Sequence, residues 1–372
     1  TNLLTIVRKT IVKYYYMEII MRLLIITCCI FASASSSFAA PINYNNDKYQ
    51  ERIIPRSQYT SGTAKEKTNG QITKKKPSRF FNSKDHELNI GLKTGYNSSE
   101  LKWNIAGNTA GTSPNILSEL KWQNIGAYKV EPKIEYTQKN GYLKGLNLQA
   151  SVNKSITFTG DNQDSDYACD NRDCEFSRSN NSSDAGHSEG FSASIGYAFD
   201  FADDRKKTVA RLTTLVGYSI QNQKFAMRDG FQTWPATGSF ANLRSSYDME
   251  WKAPFVGMEL TGYFKNVHQL KIRAQYSKGS YNGTGNWNLR ADFMHPNSFE
   301  HDADGNGFLF GAEYAWEFYP QLQFTLSSNY NYFKTDKGND ITFFSDGSVG
   351  QTRLNRVEWQ SLDYMAGLNY RF

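Results

Sequence analysis

The sequence predicts an all-β protein, a transmembrane antiparallel β-barrel of ten strands. Three observations lead there. In the last twelve residues, "SLDYMAGLNYRF", Leu362, Tyr364, Ala366, Leu368, Tyr370 and Phe372 alternate with Ser361, Asp363, Met365, Gly367, Asn369 and Arg371. One face is apolar and aromatic and the other small or polar, which is the period of two of a strand. Second, the connections between strand-like segments alternate long and short along the chain, as in a barrel with loops at one end and tight turns at the other. Third, mean hydropathy is −0.61, yet 15% of residues are aromatic. Strands that face lipid on one side and a polar lumen on the other produce that combination.

The ends of the chain fit this class. Met17 and Met21 are better starts than Thr1, which makes the first residues an over-extended N-terminus. From Met21, Arg22 precedes an apolar run from Leu23 to Ala32, and Ser37-Phe38-Ala39 offers a signal-peptidase site. Residues 1–39 therefore read as a secretory signal peptide, and the run is too short for a spanning helix. Cys28 and Cys29 leave with it. Residues 40–86 are rich in Lys, Thr, Asn and Ser, with Lys74-Lys75-Lys76 at their most basic point. They read as a disordered basic periplasmic extension. Residues 1–40 hold four basic residues and one acidic, and residues 41–85 hold ten and four, so the remainder is net negative despite the +6 of the whole chain. No nucleic-acid surface is expected.

Residues 87–372 hold the ten strands, at about 87–104, 117–136, 143–158, 189–201, 207–227, 244–263 and 268–283, from about 306 to Pro320, from there through the alternating run 321–332, and at about 357–372. Alternation is clearest where Leu270, Ile272, Ala274 and Tyr276 interleave with Gln269, Lys271, Arg273 and Gln275. Lys and Arg in mid-strand suit a hydrated lumen. Short turns fall at "TQKNGY", "ADDRKK", "FKNV" and Pro320. Long loops fall near Gly107 to Pro114, from about 158 to 188, from 227 to 243, from 283 to 306, and through "KGNDITFFSDG". Ten strands leave a lumen that side chains mostly fill.

The longest loop carries "DSDYACD", Asp164 to Asp170. Two acids one residue apart can share a proton as an acid–base pair, bind a cation, or keep a loop in water. Cys169 and Cys174, the only cysteines beyond the leader, are expected to form a disulfide in an oxidising compartment. "DADGNG" (Asp302 to Gly307) resembles the start of a calcium loop but lacks the closing Glu, so a turn is expected there and no metal site. No cofactor is implied.

Four stretches, in order, resemble the omptins, the outer-membrane aspartate-type proteases. These are "SELKW" (Ser118 to Trp122), "DSDYACD" with Tyr167 for the family's Trp, "GYSIQNQKFAMRDG" (Gly217 to Gly230), and "WKAP" (Trp251 to Pro254) followed by "FVGMELTGYF". The resemblance spans about 88–372. It implies an omptin-like barrel with an extracellular cleft, where an Asp pair faces an Asp–His pair and a water between them attacks a peptide bond. The first pair carries onto Asp164 and Asp166. The second falls on "NWN", with Asn286 and Asn288 at the Asp and His positions, and Asn cannot act as a general base. A local gap would instead bring Asp292 and His295 into play. The family's charged lipopolysaccharide-contact positions fall on Ile220 and Asn222.

These readings converge on an outer-membrane barrel at the cell surface of a Gram-negative bacterium, protease-like but with an incomplete site, that serves as a surface binding or structural envelope protein. The alternatives are an omptin-type endopeptidase using Asp164 and Asp166 with a displaced His, and a narrow porin-like channel. The expected partners are outer-membrane lipid including lipopolysaccharide, the outer-membrane assembly machinery through Phe372, and an extracellular protein or peptide ligand.

Overall fold

The computed structural model describes residues 85–203 and 208–372. The expected signal peptide and almost all of the expected basic extension lie outside the described residues. Thirteen strands follow one another: β1 (His86–Ile105), β2 (Ser118–Gln138), β3 (Leu146–Tyr167), β4 (Glu175–Ser182), β5 (Gly186–Ala202), β6 (Thr208–Trp234), β7 (Gly238–Phe240), β8 (Ser245–Phe264), β9 (His268–Asn286), β10 (Phe299–Tyr319), β11 (Leu322–Thr335), β12 (Gly338–Phe343) and β13 (Val349–Arg371). Ten of them close a ring in the order β1, β2, β3, β5, β6, β8, β9, β10, β11, β13. Every pairing is antiparallel, and β13 returns to β1 in unbroken register from Asn89–Arg371 to Asn104–Arg356. At that seam a Cβ on Gly95 would lie 2.0 Å from the Tyr364 carbonyl oxygen, so glycine lets the two edges meet.

The apolar face of each ring strand is the exposed one. Leu92, Ile134, Phe199, Val256 and Leu368 stand outward with about half their surface exposed. Their polar neighbours turn inward and are buried: Ser361 and Asp363 on β13, Lys93 on β1, Glu259 on β8. A soluble sandwich would show the reverse. This inside-out pattern is that of a wall standing in hydrocarbon.

Two levels of side chains fill the lumen. Nearer the short-turn end is a layer of paired charges. Lys93 lies 3.1 Å from Glu131 and 3.3 Å from Glu313, Lys129 lies 2.8 Å from Asp363, Lys271 lies 2.9 Å from Glu135, and Arg273 lies 3.0 Å from Glu259. A buried charge is tolerable only when paired in this way. Toward the long-loop end is an aromatic layer built from Trp103, Trp122, Phe225, Tyr247, Trp251, Tyr281, Phe299 and Trp359. Trp103 sits among Tyr247, Phe299 and His301 at ring separations of 5.7, 5.7 and 4.7 Å.

Several expected loops are instead continuations of strands. β3 runs on to Tyr167 and folds back as β4, where a loop from about 158 to 188 was expected. β6 extends to Trp234, β10 begins at Phe299 and β13 at Val349. "DADGNG" lies inside β10 and is not a turn. Above the lipid both faces of a strand meet polar surroundings, so "TGDNQDSDY" has no apolar alternation to reveal it. Backbone pairing still holds it, with Ser118 opposite Asp166 and Asp164 opposite Ser179.

Removing one member of the charge layer should be costly. Glu259→Ala deprives the buried Arg273 of its carboxylate and is expected to lower stability by about 3–5 kcal/mol. Thermal unfolding of the refolded barrel in detergent measures it, and a loss below about 1 kcal/mol would contradict the pairing described.

Candidate functional site

Asp164 and Asp166 stand six and eight residues beyond Phe158, the last lipid-facing aromatic of β3. Across the wall they are opposite Leu120 and Ser118 of β2 and Ser179 and Ser177 of β4. They therefore share the inner face that carries Leu120 and Trp122, at the mouth of the barrel. Asp164 Oδ1 is buried with no hydrogen-bond partner among the described residues. Burial first, and then the negative charge of Asp166, push the Asp164 carboxyl well above the usual range; the Trp287 side chain and Arg290 pull it back only in part. Burial also raises Asp166, against the opposing hydroxyl of Ser118 and the charge of Arg290. Two acids so placed do not both ionise freely.

What faces them is the loop between β9 and β10. The Trp287 side chain hydrogen-bonds toward Asp164, and Arg290 adds its positive charge toward both acids. Arg290 is itself held by Asp292 through two hydrogen bonds of 2.9 and 2.8 Å, with its guanidinium 4.0 Å over the Phe293 ring. The two asparagines are built into the loop's own scaffold. Asn288 Oδ1 accepts from the Arg244 backbone N–H at 2.8 Å and from the Ser245 hydroxyl at 3.1 Å, and its amide donates to the Asn242 carbonyl at 2.8 Å. Asn286 Oδ1 lies 3.2 Å from His295 Nδ1, whose other ring nitrogen lies 3.1 Å from the Arg290 carbonyl. Asp292 is thus engaged with Arg290, and His295 with Asn286. Among the described residues no hydrogen bond or ion pair joins either to Asp164 or Asp166.

Cys169 and Cys174 are joined by a disulfide at the tip of the β3–β4 hairpin. The tip is stitched to the β1–β2 loop. Asp170 accepts the Asn115 backbone N–H at 2.6 Å, and Arg172 donates to Glu119 at 2.5 and 3.2 Å. This braces the strand that carries the acids.

One His–Asp pair does exist, where the sequence did not point. His301 Nε2 lies 3.1 Å from Asp340 Oδ1, its Nδ1 lies 2.7 Å from the Tyr247 hydroxyl, and Thr352 donates to Asp340 Oδ2 at 2.8 Å. Both His301 and Asp340 are fully buried, and Trp103 packs edge-on against the imidazole. It lies within the aromatic layer and not in the cleft. The signal was present in part: Phe299, His301 and Ala303 are the buried positions of a period-two run. Its partner, 39 residues on, required the β10–β12 pairing.

The family model for Pom, Protochlamydia outer membrane protein, matches residues 91–372. The chain belongs to that family. It is therefore an outer-membrane protein, with its long-loop end outside and its short turns in the periplasm. Its fold is similar to that of the outer membrane protease OmpT from Escherichia coli, at 16% identity and a TM-score of 0.62 over 77% of this chain and 97% of that one. Ail, the attachment invasion locus protein of Yersinia pestis, aligns at 9% identity over 76% and 98% with a TM-score of 0.26. A Pseudomonas aeruginosa FadL homologue aligns at 9% over 77% and 90%, also at 0.26. No curated protein sequence matches the chain.

The raised carboxyls imply a pH dependence. A carboxyl whose folded pKa lies above its unfolded value contributes stability that is present below about pH 4 and lost as pH rises through the folded value. At neutral pH the pair is therefore a burden. Asp164→Asn should stabilise the barrel at pH 7, with the gain vanishing below about pH 4. Melting curves across pH test this, and a destabilised variant at pH 7 would contradict it.

Proposed function

We propose that this barrel is a non-proteolytic surface protein whose cleft binds a positively charged group of an extracellular protein or peptide. The observation that carries the reading is the set of groups opposite Asp164 and Asp166: an indole and an arginine already engaged by Asp292. Hydrolysis by an acid pair at neutral pH needs a base to take a proton from water. Asn286 and Asn288 cannot supply one, and their side chains are committed to holding the loop. A cationic side chain entering the cleft would meet the Asp164 and Asp166 carboxyls beside the Trp287 side chain. Its charge would allow both acids to ionise, so binding would release protons.

Lipid is the second partner. The exposed apolar belt fits the hydrocarbon, and lipopolysaccharide is the lipid of the outer leaflet where the long loops emerge. Phe372 closes the last strand, its backbone N–H donating to the Leu88 carbonyl at 2.9 Å, and is offered to the assembly machinery. The endopeptidase reading would need a histidine at the acid pair. The channel reading would need an opening through the charge layer and the aromatic layer.

The test is refolding in detergent with and without lipopolysaccharide, followed by a fluorescent dibasic peptide. Wild type should bind it without cleaving it, and Asp166→Ala should weaken binding by about tenfold, or roughly 1.4 kcal/mol. Cleavage by wild type that Asp166→Ala abolishes would replace this reading with the protease.

A further inference from the structure

Among the buried titratable groups that the cleft does not use, one set forms a continuous line inside the aromatic layer: Tyr281, Tyr247, His301 and Asp340, closed by Thr352. The Tyr281 and Tyr247 hydroxyls are hydrogen-bonded to each other, Tyr247 lies 2.7 Å from His301 Nδ1, His301 Nε2 lies 3.1 Å from Asp340 Oδ1, and the Thr352 hydroxyl donates to Asp340 Oδ2 at 2.8 Å. With the Asp340 carboxylate as terminal acceptor, one placement of protons satisfies the whole line. Nε2–H donates to Asp340, the bare Nδ1 accepts from Tyr247, and the Tyr247 oxygen accepts from Tyr281. None of the four groups is more than 2% exposed, so a proton leaving Tyr247 goes to His301 and not to water.

The far end of the line favours that transfer. Asp340 is a buried carboxylate whose ion-pair partner among the described residues is the imidazole of His301. A neutral imidazole gives it a hydrogen bond and no charge; an imidazolium would give it the counter-ion that a buried carboxylate needs. A phenol does not give up its proton to an imidazole unaided, because their ordinary pKa values are about 10 and about 6.5. It does so on losing an electron, since an oxidised phenol is a strong acid.

The rings supply a route for the electron. The Tyr247 ring lies 5.7 Å from Trp103, and Trp103 lies 6.4 Å from Trp287. Trp122 stacks on Tyr247 at 5.5 Å and approaches Trp103 at 6.5 Å. Tryptophan and tyrosine are among the side chains most readily oxidised by one electron. Trp287 is only partly buried and reaches toward Asp164 in the cleft. Rings in sequence therefore join the extracellular mouth to a tyrosine that has its proton acceptor in place.

We propose that Tyr247 is a redox-active tyrosine, a trap for oxidising equivalents that arrive at the cleft as one-electron oxidants such as hydroxyl or peroxyl radicals. The oxidant takes one electron from the Trp287 ring and is reduced to its anion. Trp103 returns an electron to Trp287, and Tyr247 returns one to Trp103. Tyr247 passes its hydroxyl proton to His301 Nδ1, which leaves a neutral phenoxyl radical hydrogen-bonded by Tyr281 and an imidazolium paired with Asp340. One electron leaves the protein and one proton moves within it. The trap is independent of peptide binding in the cleft.

The test is flash oxidation of the refolded barrel in detergent by a photogenerated ruthenium(III) polypyridyl complex, with persulfate as electron acceptor, read by electron paramagnetic resonance. The chain has 23 tyrosines, so ascorbate is added after the flash to reduce radicals at the surface. Wild type should keep a tyrosyl signal that ascorbate does not quench, and Tyr247→Phe should remove it. His301→Gln, which stays polar but cannot hold the proton, should lose at least half of it. Trp287→Phe should also lose at least half, and as a change in a partly buried loop residue it serves if the interior variants do not refold. A wild-type signal wholly quenched by ascorbate, or a persistent signal undiminished in any of these variants, would overturn the proposal and leave the line with a structural role only.

Discussion

Everything in this molecule depends on the closure of β13 onto β1. Hydrocarbon offers no partner to a backbone N–H or carbonyl, so a sheet that crosses it must have no free edge. The register from Asn89–Arg371 to Asn104–Arg356 meets that demand. Once the ring is closed, the pleat fixes the rest. Alternate residues of every strand are delivered to lipid or to the lumen, and the sequence must be apolar on one and compatible with a narrow, crowded interior on the other.

The interior resolves that crowding in two ways. Nearer the periplasm, long charged side chains from opposite walls reach one another and pair, because a single unpaired charge there would be prohibitive. Nearer the surface, large rings from β1, β2, β8, β9, β10 and β13 interlock, with the Tyr247–His301–Asp340 chain satisfying the polar tips among them. The aromatic layer supports the cleft from below. Trp103 contacts Trp287 at 6.4 Å, so the residue facing Asp164 rests on the packed interior.

The parts that were legible in the sequence are those where physics imposes a period. The ten ring strands could be read because lipid demands apolar residues at every second position, and the turns could be read because Pro320 and the short polar runs interrupt it. The upper halves of β3, β6, β10 and β13 could not, since above the lipid the outward face is polar as well, so the apolar-out alternation is lost although the inward positions stay buried. The acid pair was visible as a motif, and the asparagines opposite were visible by position. Arg290's hold on Asp292, and the separate engagement of His295 with Asn286, were not, because they depend on how one loop folds on itself. His301 and Asp340 belong to different strands whose adjacency is a property of the sheet and not of local sequence.

The central claim is that Asp164 and Asp166 form a wall that is electrostatically incomplete until a cation arrives. Isotope-edited infrared spectroscopy of the carboxyl groups, with Asp164→Asn to assign the band, reads their ionisation directly. The account predicts a protonated carboxyl band that persists well above the ordinary carboxylate range and disappears when a cationic peptide is added. A pair fully ionised near pH 5 and unchanged by the peptide would contradict it.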